Sequence, residues 1–94
     1  MPVLHIEHQI SELASWLETF ARFAPAREQA GVTNAAVYQP LDDPKYIVVH
    51  LTFETIDAAS AFRDFLRDRI WSSPETSPAL VGQPTTVILT ELEV

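Results

Sequence analysis

At 94 residues, with 47% hydrophobic, 20% charged and 10% aromatic side chains, the chain has the length of one domain (residues 1–94) and ample apolar material for one packed core. Thirteen acidic against six scattered basic side chains give a formal net charge of −7, which argues against nucleic acid and anionic membrane surfaces as partners. With no cysteine, disulfides, thiolate metal sites and cysteine nucleophiles are excluded.

The opening residues, MPVLHIEHQI, hold no basic segment followed by a long apolar run, and no later stretch approaches the ~18 apolar residues of a membrane span. The expectation is a soluble cytoplasmic protein. From Val3 to His8 the chain alternates, with Val3, His5 and Glu7 on one face and Leu4, Ile6 and His8 on the other, which is the period of a strand. Ser11 then offers an N-cap, Glu12 suits the helix dipole, and Leu13, Trp16, Leu17 and Phe20 repeat at the three- and four-residue spacing of an amphipathic helix. Pro25 marks a break or restart, followed by one more helical turn that Gly31 can end in the left-handed conformation.

Val32 to Gln39 reads as a strand, and the two prolines and two aspartates of PLDDPK suit the turn after it. YIVVHLTF, from Tyr46, is rich in β-branched and aromatic residues and forms the clearest strand of the chain. Thr55 caps the next helix, with Asp57 in its first turn and Ala58, Ala59, Phe62, Phe65, Leu66 and Ile70 as its apolar stripe. Between Trp71 and Pro84 three prolines and one glycine suggest a loop, but Trp71, Leu80 and Val81 predict that it is ordered against the rest of the protein. TTVILTELEV reads as the last strand.

The order β-α-β-β-α-β is that of an α+β, ferredoxin-like fold: a four-stranded antiparallel sheet with two helices on one face. Its right-handed crossovers are expected to place strands one and three side by side and parallel at the centre. A weak internal repeat at a shift of 45 residues superposes Leu4, His5 and Ile6 on Val49, His50 and Leu51 and Phe20 on Phe65, so His5 and His50 occupy equivalent places. The strongly apolar sets, Leu4 with Ile6 and Ile47 with Val49 and Leu51, belong under the helices. Val3, His5, Glu7, Tyr46, Val48, His50, Thr52, Thr86, Ile88 and Thr90 are then left on the other face. That face is half apolar, and a two-fold partner packed sheet to sheet would cover it.

In these segments, VLHIEH, SELASWLETFARFA, KYIVVHLTFET, DAASAFRDFLRDRIW and SPALVGQPTTVILTELEV, the chain resembles the dimeric α/β-barrel superfamily, which includes antibiotic-biosynthesis monooxygenase-like domains, and most of all its small members without assigned function. FRDFLRDRIW and SPALVGQP carry the resemblance furthest. It implies a homodimer and an oxygenase-like pocket between sheet and helices. Better-studied members place an Asn, a Trp and a Tyr or His in that pocket; Asn34, Trp16, Trp71 and Tyr46 are residues of these types here, and none is carried over as catalytic.

His5, Glu7 and His50 share a face on neighbouring strands, and three readings apply: polar groups satisfied at the dimer seam, which is favoured, a general base oriented by an acid, or a sparse metal site. The candidate catalytic residues are therefore His5 and His50. Glu7, Trp16, Phe20, Tyr46, Phe62, Phe65 and Trp71 are candidate ligand contacts, with no metal ligand and no cofactor expected. His8, at the strand end, is expected on the surface, and Trp16 and Phe20 suit core better than a substrate platform. Gly31 and Gly82 cannot build a phosphate-binding loop, and no serine lies in a nucleophile-elbow pattern. Two function classes remain. One is a cofactor-independent monooxygenase, with Trp16, Phe20, Phe62 and Phe65 around a small aromatic or polyketide-like substrate. The other is a non-catalytic ligand-binding or interaction protein with a filled core.

Overall fold

The computed structural model describes the whole chain, Met1–Val94. Its elements are β1 (Val3–Ile10), α1 (Leu13–Arg22), α2 (Ala24–Gln29), β2 (Asn34–Tyr38), β3 (Tyr46–Thr52), α3 (Ile56–Phe65), a π-helical turn (Leu66–Ile70) and β4 (Leu80–Leu89). The sheet runs β2-β3-β1-β4, the ferredoxin-like order, and every neighbouring pair is antiparallel. No helix is long and apolar enough to cross a membrane.

β1 and β3 are the central neighbours, but they run antiparallel rather than parallel. Each helical crossover skips a strand, joining β1 to β2 across β3 and β3 to β4 across β1, so the parallel relation falls between strands that do not touch. Along this central pair Leu4 faces Leu51 and His5 faces His50, so the two members of the sequence repeat stand directly opposite each other.

Strand alternation decides what is buried. Leu4, Ile6, Ile10, Ile47, Val49 and Leu51 point under the helices, where they join Phe53, Ala59 and Phe62 in one apolar core, each at most 5% exposed. Val3, His5, Glu7, Tyr46, Val48, His50 and Thr52 lie on the open face and are half-buried.

β4 departs from expectation twice. It begins at Leu80, five residues before Thr85, and ends at Leu89, before the tail Thr90–Val94. Its register also opposes the assumed one: Ile88 pairs with Leu4 and Thr86 with Ile6, on the helix side, while Thr85, Val87 and Leu89 pair with Glu7, His5 and Val3 on the open face. Arg67 on the π-helical turn donates to the Thr86 hydroxyl at 3.0 Å, which pins that side of β4 to the helical layer. The ladder is also irregular between Glu7 and Gln9, opposite Gly82-Gln83-Pro84, where Gly82 takes φ 74°, a left-handed conformation that favours glycine, and Pro84 has no N–H to give; the pairing shifts there by two residues, so Leu80, Thr86 and Ile88 keep to one face.

The helix termini follow simple chemistry. The Thr55 hydroxyl accepts from the Ala58 amide at 3.1 Å and caps α3. At α1 the expected cap is absent: Glu12 holds the N-cap position without a side-chain bond, and the Ser11 amide instead donates to Ala79 at 2.9 Å. Pro25 sits in the first turn of α2, where its missing N–H costs nothing, and Gly31 follows that helix with φ 89°. The segment after Trp71 is ordered, as its apolar residues predict: the Thr76 hydroxyl reaches the Ile70 carbonyl at 2.6 Å and Ala79 is 2% exposed.

Candidate functional site

Chemistry-bearing side chains gather in two places, one on each face of the sheet. The first is a cavity of about 90 Å³ between sheet and helices. Its floor is Ile6, Val49 and Leu51; its walls are Trp16 and Phe20 of α1, Phe23 between α1 and α2, Phe62 and Phe65 of α3, and Leu66, Ile70 and Trp71 at the π-helical turn. No side chain of α1 is fully buried, because that helix covers the cavity rather than closing on the strands. Trp16 and Phe20 stack at 4.9 Å and 19°, and Phe62 and Phe65 at 5.6 Å and 26°, so two aromatic pairs line the space. The wide π turn sends the Trp71 amide back to the Leu66 carbonyl at 2.8 Å and brings the indole to the cavity.

His8 enters this cavity, contrary to its expected surface position. It is 6% exposed, since β1 continues two residues past it to Ile10 and the pleat turns it to the side of Leu4 and Ile6. Nδ1–H donates to the Gln9 carbonyl at 2.8 Å, which selects the tautomer with an unprotonated Nε2, and that nitrogen has no partner in the chain. Removal from water pushes the imidazole below its ordinary pKa of 6.5, outweighing the opposite pull of the carbonyl, so His8 is neutral at pH 7. A neutral imidazole with a free nitrogen in an apolar cavity is a competent proton acceptor.

The second place is the open face. Here a chain of hydrogen bonds runs from His50 Nε2 to His5 Nδ1 at 2.9 Å, from His5 Nε2 to Glu7 Oε2 at 2.8 Å, and from the Tyr46 hydroxyl to Glu7 Oε1 at 2.9 Å. Glu7 can only accept while ionised, so His5 Nε2 carries a hydrogen, and a neutral His5 accepts from His50 through Nδ1. The His5 and Tyr46 hydrogen bonds hold the Glu7 carboxyl below its ordinary value, and Glu7 in turn raises the Tyr46 phenol. Tyr38, 52% exposed, meets the His50 ring edge-on at 5.4 Å. Both ring nitrogens of His5 and both carboxylate oxygens of Glu7 therefore have a partner within the chain, and no group of three such side chains is arranged to hold a metal ion.

The nine residues singled out in the sequence thus divide. Trp16, Phe20, Phe62, Phe65 and Trp71 meet around the cavity, whereas His5, Glu7, Tyr46 and His50 meet across the sheet from it. Asn34 is exposed at the start of β2, and the cavity lining contains no asparagine. Sequence reasoning missed His8 and Arg27. Period-2 alternation did place His8 with Leu4 and Ile6; a helical arginine next to an aromatic cluster leaves no comparable signal.

No protein-family model matches the chain, and no curated protein matches it in sequence. Solved structures do share its fold over nearly its whole length. SnoaB, a cofactor-independent oxygenase from Streptomyces nogalater, superposes with a TM-score of 0.73 at 17% identity, covering 99% of this chain and 94% of that one. A dimeric ferredoxin-like protein from an uncultured marine organism gives 0.72 at 12% identity, covering 99% and 97%. An antibiotic biosynthesis monooxygenase gives 0.69 at 11% identity, covering 99% and 100%. The chain has the ferredoxin-like fold of antibiotic biosynthesis monooxygenase-like proteins.

Proposed function

We propose that the protein is a cofactor-independent monooxygenase-like enzyme that takes a small aromatic substrate between sheet and helices, with His8 as its base, and that it works as a homodimer. What supports the catalytic reading is one observation: an aromatic-walled cavity holds a single neutral imidazole whose Nε2 is unengaged. Such a base can take the O–H proton of a hydroquinone. The resulting anion is electron-rich enough to reduce O2 itself, so that one oxygen atom enters the ring, the other leaves as water, and hydroquinone plus O2 becomes hydroxyquinone plus water. A cavity of about 90 Å³ is smaller than the ~150 Å³ that accepts benzene, so even a single-ring substrate requires it to widen, and Phe65, 37% exposed, is the side chain whose rotation would admit one. Polycyclic substrates do not fit this space.

The homodimer is supported by the open face, where Val3, Val48, Val87 and Leu89 surround the His5–His50 pair without a covering layer. Sheet-to-sheet pairing would bury them. Both ring nitrogens of His5 are engaged and His50 is tied to it through Nε2, which favours a structural part for the pair within the seam.

The test is oxygen consumption with hydroquinone, against the same protein heat-denatured and against a His8→Gln variant, which keeps a donor for the Gln9 carbonyl. We expect protein-dependent uptake that falls roughly 100-fold in His8→Gln, the scale of a lost general base. Uptake no faster than the autoxidation blank, or a folded variant as active as the unaltered protein, defeats the reading.

A further inference from the structure

The polar groups around the cavity fall into two sets. The hydroxyls of Thr19, Thr76 and Ser77 are already engaged, donating to the carbonyls of Ser15, Ile70 and Ser73 at 3.0, 2.6 and 2.8 Å. His8 and Arg27 are not fully engaged, and Arg27 is the more telling. One of its Nη1–H groups donates to the Phe20 carbonyl at 2.6 Å, and its guanidinium carbon lies 3.7 Å from the centre of the Phe20 ring. These two contacts fix the side chain and leave the remaining N–H groups of the fork without an acceptor in the chain.

No carboxylate lies within 4.0 Å of Arg27, although acids outnumber basic residues by thirteen to six. Arg22 and Arg63 have Glu18 and Asp64 as near neighbours, at 4.0 and 3.8 Å; Arg27, half-buried, has none. A cation withdrawn from water without a counter-ion is a cost to the fold, and burial presses its pKa downward. Its place explains the arrangement: Phe20 stacks on Trp16, so the guanidinium stands at one end of the aromatic wall, and His8 stands beyond Trp16 at the other, with ring centres 6.4 Å apart.

We propose that the cavity binds a small aromatic anion, a single ring bearing a carboxylate, with the aromatic walls of the cavity around the ring and Arg27 as its counter-ion. This rests on the aromatic-cavity reading and narrows its substrate class. The fork of Arg27 presents parallel N–H groups that match a carboxylate. The overall charge of −7 repels anions at long range, so a preference for one must arise from a local cation.

Benzoate and its neutral isostere benzamide separate charge from ring. Both tryptophans of the chain line the cavity, so tryptophan fluorescence reports occupancy directly. Titrating the unaltered protein with each should give a benzoate Kd at least about tenfold below that of benzamide, the scale of one charge-assisted hydrogen bond. Arg27→Gln should bring benzoate to the benzamide level, with a much smaller change for benzamide, which loses at most a neutral hydrogen bond. Arg27→Lys, which keeps charge but not the fork, should fall between. Equal affinities in the unaltered protein overturn the anion proposal and leave the aromatic cavity standing, and so does a benzoate preference that survives in folded Arg27→Gln. Failure of both rings to bind removes the cavity reading and the proposal together.

Discussion

His5 and His8 stand three positions apart on β1, and the pleat sends them to opposite faces of the sheet. His5 lies in a half-exposed polar chain, with both ring nitrogens bonded to other side chains. His8 lies in an apolar cavity with one nitrogen on a carbonyl and the other free. The same side chain is chemically committed in one place and available in the other. Of the two candidate catalytic histidines, His5 is engaged at both nitrogens and His50 at one, and availability follows from what the neighbours fail to supply.

The largest effect should separate the two faces by packing. Leu4 on the helix side is 0% exposed, and Leu4→Ala should cost about 2–5 kcal/mol in denaturant unfolding. Val48, one pleat away from Ile47 and Val49 and half-buried on the open face, should cost about 1 kcal/mol or less as alanine when the protein is dilute. A comparable loss at both positions would mean that the open face is as firmly packed as the core, which points to a partner already in place.

The next effect separates the histidines by pH. The folded-state pKa of His8 is depressed, so between it and 6.5 the unfolded chain binds more protons than the folded one. Stability should therefore be full above pH 7, decline as pH falls through 6.5, and stop declining on this account below the folded pKa. His8→Gln should flatten that stretch of the stability curve; an unchanged slope would show that His8 is not the desolvated group. Glu7 acts in a lower window, because its depressed pKa contributes stability above 4.5 that is lost as pH drops through the folded value.

The smallest effect lies in the open-face chain. Tyr46→Phe should cost about 1 kcal/mol or less and return the Glu7 carboxyl part of the way to 4.5 in an NMR titration, with the His5 bond still holding it down. His50→Ala should cost a similar amount in the monomer but weaken self-association in sedimentation. If His50→Ala left both stability and association untouched while changing oxygen uptake, the division between the committed and the available histidines would have to be reversed.

Much of the fold was legible because it depends on local patterns. Alternation in VLHIEH and YIVVHLT named the buried face of both central strands, Thr55 named the start of α3, and the shift of 45 residues put His5 against His50. β4 resisted because TTVILT carries apolar residues on both parities, so no alternation decides between Ile88 and Val87; the register against β1 puts Ile88 on the helix side. The π-helical turn leaves no pattern distinct from an ordinary helix, yet it helps bring Trp71 to the cavity.

What the sequence by itself determined is the set of elements, their order and the inward face of β1 and β3, since helix and strand periods are properties of neighbouring residues. The tertiary structure alone decided that β4 turns Ile88 to the helix side, that His8 is dry and His5 engaged, and that Arg27 stands over Phe20 without a carboxylate. Desolvation and the presence or lack of a counter-ion depend on atoms brought from distant parts of the chain, and no local pattern encodes them.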